Sequence, residues 1–290
     1  MSLILALLTV LSWGLWIVVA EGVAFSSIHI RNLYVSLVCF IVALIVYGQV
    51  GLVHADTLSA SMFWPSFAGG ILWIASSWCA YQAIEGIGLT KAIGIWAPGN
   101  IVTSMLWGHL LFGENFLYSL SGLSALVVVL IGVGLIVFKG HNTENHQKES
   151  RTGVLFALCC AFLWGSYFIP IQYFGLSPWA ASLPMTFGML AGATLFAIPD
   201  LKRRFLLSGW DSFRVFLSGG LWSLGNYSSL LLMERVGTGL GFTIAQMAIV
   251  INALAGIYLF KRPAPGTPAA RFAFLGIALA LSGVFILGQL

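Results

Sequence analysis

Apolar runs of about 20 residues recur along the whole chain, and this recurrence limits the possible folds more than any motif does. A helix crossing the hydrocarbon core of a bilayer needs about 20 mostly apolar residues. Runs of that kind occupy 2–22, 32–53, 63–84, 89–112, 117–138, 153–174, 178–199, 212–233, 237–260 and 271–289. They are too long and too continuous for the alternating strands of an outer-membrane barrel. Of the 290 residues, 59% are apolar and 8% are charged, whereas a soluble domain carries about 25% charged residues. No globule of this size has enough interior to hide so much apolar surface, so the solvent must be lipid. The sequence predicts an all-α membrane protein with about ten transmembrane helices.

Several functions are excluded early. The four cysteines, Cys39, Cys79, Cys159 and Cys160, lie inside apolar runs without C-x-x-C spacing, so they read as core-filling residues. His141 and His146 fall in a polar stretch and read as solvated loop residues, so no metal is expected. H-E-x-x-H, G-x-S-x-G and P-loop patterns are missing, and with them any catalytic constellation. Gly237-Thr238-Gly239-Leu240-Gly241 opens an apolar run with no preceding strand, which fits close helix packing and not a dinucleotide loop. Gly188 and Gly192 form a second small-residue pair. No cofactor is called for. The pI near 9.0 does not imply nucleic acid, because the basic residues are confined to short loops. The first run, Met1 to Ala20, lacks lysine and arginine and reads as a retained span, not a cleaved signal.

The loops set an orientation. Twelve of the thirteen lysines and arginines lie in connections after odd-numbered runs, leaving Arg235 on the other side. Positive charge is retained in the cytoplasm, so both termini should lie outside the cytoplasmic (inner) membrane. The chain also repeats itself. Ser12-Trp13-Gly14 matches Leu163-Trp164-Gly165, and Gly69-Gly70-Ile71-Leu72-Trp73 matches Gly219-Gly220-Leu221-Trp222. Leu111-Phe112-Gly113 matches Leu259-Phe260-Lys261. A repeat with an odd number of spans must enter the membrane upside down, so the expectation is two inverted five-helix repeats, 1–138 and 153–290. A cytoplasmic linker at 139–152 joins them. Inverted repeats of secondary transporters hold their site near midplane between the halves.

With the Trp-Gly pairs and a fourth span ending Leu111-Phe112-Gly113-Glu114, the chain resembles the drug/metabolite transporter superfamily. Trp222-Ser223-Leu224-Gly225-Asn226 and Gly241-Phe242-Thr243-Ile244-Ala245-Gln246 resemble its glucose/ribose porter (sugar uptake) branch. The resemblance implies a carrier of small metabolites, with sugars and proton symport implied by the branch. The Glu234-Arg235 pair does not fit the branch pattern.

Candidate binding residues follow from spacing. Trp96, Asn100, Thr103 and Trp107 share one face of the fourth span, where Pro98-Gly99 should bend the helix. Trp222, Asn226 and Ser229 share a face of the eighth, and Gln246 with Thr243 lies in the ninth. A polar side chain in hydrocarbon needs a partner or a water-lined cavity, and the two amides of spans 8 and 9 could also satisfy each other. Asn252, off the Gln246 face, reads as packing. Trp13 and Trp16 in the first span and Trp164 and Tyr167 in the sixth offer flat faces to a sugar ring, while amides suit its hydroxyls; packing around Gly14 and Gly165 is the alternative. The proposed substrate-binding set is Trp13, Trp16, Trp96, Asn100, Trp164, Tyr167, Trp222, Asn226 and Gln246. Glu21 and His109 are the proton-coupling candidates. No deep Lys, Arg, Asp or Glu is expected, which favours a small neutral polyhydroxylated solute moved by alternating access. The alternatives are an exporter of amino acids or nucleoside-like metabolites, and a membrane sensor or enzyme without transport. The expected partners are a small-molecule solute and the lipid bilayer; the sequence sets no oligomeric state.

Overall fold

The computed structural model describes residues 2–51, 59–115, 119–139, 150–201, 207–261 and 263–289. Most of the linker at 139–152, with His141 and His146, and the basic residues Lys202, Arg203, Arg204 and Arg262 lie outside that set. Among the described residues the regular structure is helical: α1 (Ser2–Val19), α2 (Ile28–Val46), α3 (Ala60–Ile87), α4 (Leu89–Phe112), α5 (Leu120–Lys139), α6 (Arg151–Trp164), α7 (Ile169–Tyr173), α8 (Pro178–Ala197), α9 (Gly209–Val236), α10 (Thr238–Ala245), α11 (Ala248–Tyr258) and α12 (Pro268–Leu287). A turn of π-helix, Tyr47–Gly51, extends α2.

Seven helical stretches are long and apolar enough to cross a membrane; α6 with α7 and α10 with α11 each count as one. Outside the seven are α3, α4 and α9, of 28, 24 and 28 residues. At about 1.5 Å per residue they have the length, but glycine, serine, tryptophan and charged end residues dilute their apolar character. These helices have several packing partners: α3 packs on α6 and α8, α4 on α6 and α10, and α9 on α1, α2 and α10. Lipid does not have to wet their whole surface, so they need not be apolar all round.

Two apolar runs are interrupted. The chain turns at 165–168 between α6 and α7, and at Gln246–Met247 between α10 and α11. The fourth run, where Pro98-Gly99 predicts a bend, is an unbroken helix from Leu89 to Phe112. Proline removes one helical hydrogen bond, a local loss offset by packing against α6 and α10. Loop-proximal ends are capped: Ser27, Ser150, Ser208 and Thr267 accept from backbone N–H groups three residues on.

Helices approach closely where side chains are small. Along α5 and α12, Gly132, Gly276 and Gly283 each lie against the partner's backbone, and a Cβ on Gly276 would come within 2.6 Å of the Gly132 carbonyl oxygen. Gly188 and Gly192 of α8 likewise face Phe67 and Ile74 of α3, so this pair packs as expected. Without a hydrophobic drive between helices in lipid, such close packing holds a bundle together. The largest core cluster joins α1, α2, α3, α8, α9 and α10 around Trp13, Trp73, Phe168, Met185, Trp222 and Phe242.

Candidate solute-binding cavity

A cavity of about 900 Å³ lies among α1, α3, α4, α6, α9 and the α10–α11 break. Its mouth is formed by Glu21, Arg31, Asn32, Leu89, Phe260 and Pro263, residues at the connections after α1, α3 and α11. These connections lie on the lysine- and arginine-rich side of the topology. Small-molecule pockets usually measure about 300–1,000 Å³, so a monosaccharide-sized ligand fits with room for water.

The deep wall is aromatic, and the helices present the rings edge to face. Trp73 and Trp222 lie 5.1 Å apart at 72°, Trp96 and Trp164 5.7 Å apart at 82°, and Trp13 and Phe242 6.3 Å apart at 73°. Such pairs interlock favourably and so hold the exposed ring faces in place. Trp13 is fixed further: its indole fits the space left by Gly225, and its Nε1–H donates to the Trp222 carbonyl oxygen at 3.3 Å. Ser218 of α9 donates to the Trp16 carbonyl oxygen at 2.6 Å, adding a second α1–α9 tie.

Polar groups line the same wall. Asn100 Nδ2 donates to Gln246 Oε1 at 3.3 Å, joining α4 to the α10–α11 break. The Asn100 Oδ1, the Trp164 Nε1–H and the Tyr167 hydroxyl are buried without a hydrogen-bond partner among the described residues. Leaving one such group unpaired costs about 1–3 kcal/mol. Two of the three belong to residues at the α6 break.

Eight of the nine predicted binding residues therefore lie on one wall: Trp13, Trp16, Trp96, Asn100, Trp164, Tyr167, Trp222 and Gln246. Asn226 is not among them. It is buried, and its Nδ2 reaches Met185 Sδ of α8 at 3.9 Å, so it faces a neighbouring helix. Asn252, expected to pack, lines the cavity instead. Trp73 and Phe242 were absent from the predicted set although the sequence carries a signal for each. Trp73 closes the Gly-Gly motif that pairs with the one ending in Trp222. Phe242 precedes Gln246 by four residues, as Trp96 precedes Asn100.

The ionisable candidates divide. Glu21 stands at the mouth, where Arg214 of α9 donates to the backbone carbonyls of Val19 (2.9 Å) and Glu21 and so caps the end of α1. His109 lies outside this cavity, with Nδ1 3.0 Å from the Glu114 carbonyl oxygen. Arg31 also lines the mouth, with its guanidinium carbon 5.8 Å from the Trp16 ring centroid, within cation–π range. No cluster of three or more metal-ligating side chains occurs among the described residues.

The opposite end is closed. Trp107 Nε1 donates to Ser166 Oγ at 2.7 Å and Gln172 Nε2 to the Leu230 carbonyl oxygen at 3.4 Å. Glu114, just beyond α4, accepts from the backbone N–H groups of Thr238 and Gly239 at the start of α10. Burial raises the Glu114 carboxyl above the usual carboxylate range, and the backbone donors offset part of that rise.

An all-helical membrane protein with a central cavity open on one side has the architecture of a membrane transport protein. The family model described as sugar transport protein matches residues 4–290, and the chain belongs to that family. It is 27% identical to the glucose uptake protein GlcU of Bacillus subtilis, over 99% of this chain and 98% of that protein. It is 24% identical, over 99% of both chains, to a Listeria monocytogenes protein whose name refers to sugar uptake. A solved crystal structure shares the fold with a TM-score of 0.77 at 18% identity, covering 98% of this chain and 95% of that one.

Proposed function

We propose that this protein is a secondary transporter that moves a small neutral polyhydroxylated solute, a sugar, across the cytoplasmic membrane by alternating access. The observation that carries the reading is the composition of the deep wall: the rings of Trp16, Trp73 and Trp96 beside the Asn100–Gln246 amide pair. Aromatic faces complement the C–H face of a pyranose, while amide groups both donate to and accept from hydroxyls. The names of the Bacillus and Listeria relatives point the same way.

Ten crossings in two inverted repeats, 1–138 and 153–290, fit this reading, with α3, α4 and α9 completing the count. The packing supports the repeat. Exchanging the halves maps the α1–α9 contact onto the α6–α3 contact, and α1 against α10 and α11 onto α6 against α4. Helices α5 and α12 pack on each other, as two copies across a pseudo-axis would. An opening on one side and ties on the other suit one end state of alternating access.

Solute-dependent thermal stabilisation tests the substrate class, because a ligand that prefers the folded state raises the melting temperature. A shift with hexoses or pentoses, and none with amino acids or nucleosides, is the expected result. A response confined to nucleosides or amino acids would move the protein to the exporter class, and no response to any of the three would remove the carrier reading.

A further inference from the structure

Arg31 is the one basic side chain on the cavity wall among the described residues. It lies in the first turn of α2, whose start is fixed by the Ser27 cap. The aromatic wall leads up to it in contact steps. The rings of Trp222 and Trp73 are 5.1 Å apart and those of Trp73 and Trp16 6.5 Å apart, and the Arg31 guanidinium carbon is 5.8 Å from the Trp16 ring. The backbone of Trp16 is held from α9, where Ser218 donates to its carbonyl oxygen. Asn32, the next residue after Arg31, lines the same cavity.

The other charged groups near the mouth are accounted for. Arg214 donates to the carbonyls of Val19 and Glu21 and pairs with Asp211 at 3.5 Å. Glu21 is the acidic side chain on the cavity wall and acts on Arg31 through its charge. Among the described residues, however, no hydrogen bond or ion pair holds the Arg31 guanidinium; its recorded partner is the Trp16 ring. A cation–π contact occupies none of the five N–H donors of an arginine, so they remain available on the wall. Arg31 is half-buried, and a cation drawn partly out of water gains most from an anionic acceptor.

We propose that Arg31 and Trp16 form a mouth-side subsite for a phosphorylated sugar, which lays its ring on the aromatic wall, sets its phosphate on Arg31 and so blocks the cavity. The proposal rests on the reading of the cavity as a sugar carrier. The guanidinium fork matches phosphate oxygens in pairs, which a point charge cannot do. Further in, the polar groups are the neutral amides Asn100 and Gln246. A neutral sugar can move past Arg31 to them, but a phosphate would leave its cation for a wall without another one, at a large cost. The phosphorylated sugar is therefore held and not carried. Positive charge on the loops puts the mouth in the cytoplasm, and the class of reaction that supplies this ligand is phosphoryl transfer to the carried sugar.

The test titrates glucose, glucose 6-phosphate and inorganic phosphate onto the purified full chain by calorimetry. Glucose 6-phosphate should bind about tenfold more tightly than glucose, the effect of roughly one charge-assisted hydrogen bond, and should displace it. The ratio of the two sugar affinities cancels general changes in the cavity. It should fall to near one in Arg31→Gln and be intermediate in Arg31→Lys, which keeps the charge without the fork. Equal affinities in the wild type overturn the proposal without any variant, as does a ratio unchanged in Arg31→Gln. Inorganic phosphate that binds as tightly as glucose 6-phosphate overturns it too, because the ring would then contribute nothing. In sealed, oriented vesicles, glucose 6-phosphate should slow glucose exchange from the mouth side and not from the far side; passage of glucose 6-phosphate itself at the rate of glucose overturns the blocking role. Arg31-dependent binding of glucose 6-phosphate beside no binding of glucose counts against the neutral-sugar reading and not against this subsite. No binding of either sugar removes both.

Discussion

Amide side chains carry the sharpest distinction in this protein, because three that look alike in the sequence occupy two different environments. Asn100 and Gln246 bond to each other on the cavity wall, whereas Asn226 is buried against Met185. A substrate hydroxyl that loses its amide partner in a poorly hydrated site costs about 1–3 kcal/mol, or roughly ten- to a hundredfold in Kd. Asn100→Ala and Gln246→Ala should each weaken solute binding by that amount, measured by calorimetry on the purified protein. Asn226→Ala should leave affinity near wild type and lower the melting temperature instead, since it removes a packed side chain between α8 and α9. A hundredfold loss of affinity in Asn226→Ala with an unchanged melting temperature would reverse the assignment. The sequence made Asn100, Gln246 and the tryptophans legible because each lies at helical spacing from another polar or aromatic residue. It misplaced Asn226 for a physical reason. Helix α9 packs on α1, α2, α8 and α10, so polar residues on different faces all meet protein, and spacing from Trp222 cannot tell cavity from neighbour.

Between residue and bundle stand the helices, and here length and apolar character were legible while interruptions were not. Apart from the sixth and ninth, each apolar run from the sequence contains one described helix within a few residues of its expected bounds. The breaks at 165–168 and 246–247 left weaker signals than Pro98-Gly99, yet the fourth run stays helical and the sixth and ninth do not. Gly165 meets the Asn100 carbonyl oxygen and Thr103 of α4, where a Cβ would stand 2.8 Å and 2.6 Å away, a contact invisible to local propensity. The small-residue seam between α5 and α12 supports a separate prediction. Gly276 admits no side chain against Gly132 and Ile136, and overpacking a tight core typically costs about 1–3 kcal/mol. Gly276→Leu should therefore lower the melting temperature, whereas Gly22→Ala, at a position with open space around it but a left-handed backbone, should cost about 1–2 kcal/mol through strain alone. Equal melting temperatures for Gly276→Leu and wild type would mean that the two helices do not pack through this seam.

Across the whole molecule, the charge asymmetry read from the loops and the cavity's opening point to the same side. The mouth residues Glu21, Arg31, Leu89 and Pro263 belong to connections that hold the basic residues, while the ties at Trp107, Gln172 and Glu114 close the side whose loops hold Arg235 alone. The sequence could place the basic loops because the rule depends on counting; it could not show which end of the cavity was open, because that depends on how the halves lean together. If positive charge is retained in the cytoplasm, the described conformation faces inward and both termini lie outside. Two exposed positions at opposite ends decide the orientation: Glu85 near the end of α3, before Lys91, and Asn115 beyond α4. An impermeant thiol reagent applied to intact cells should modify Asn115→Cys and spare Glu85→Cys until the membrane is permeabilised. The reverse pattern would place the basic loops outside and turn the same structure into an outward-facing one. Labelling of both positions from outside would mean that the connections after α3 and α4 share a side. One crossing of α4 would then be lost, and the repeats could not be inverted five-helix units. Because Glu85 and Asn115 flank α4, the comparison tests that crossing and the direction of opening in one measurement.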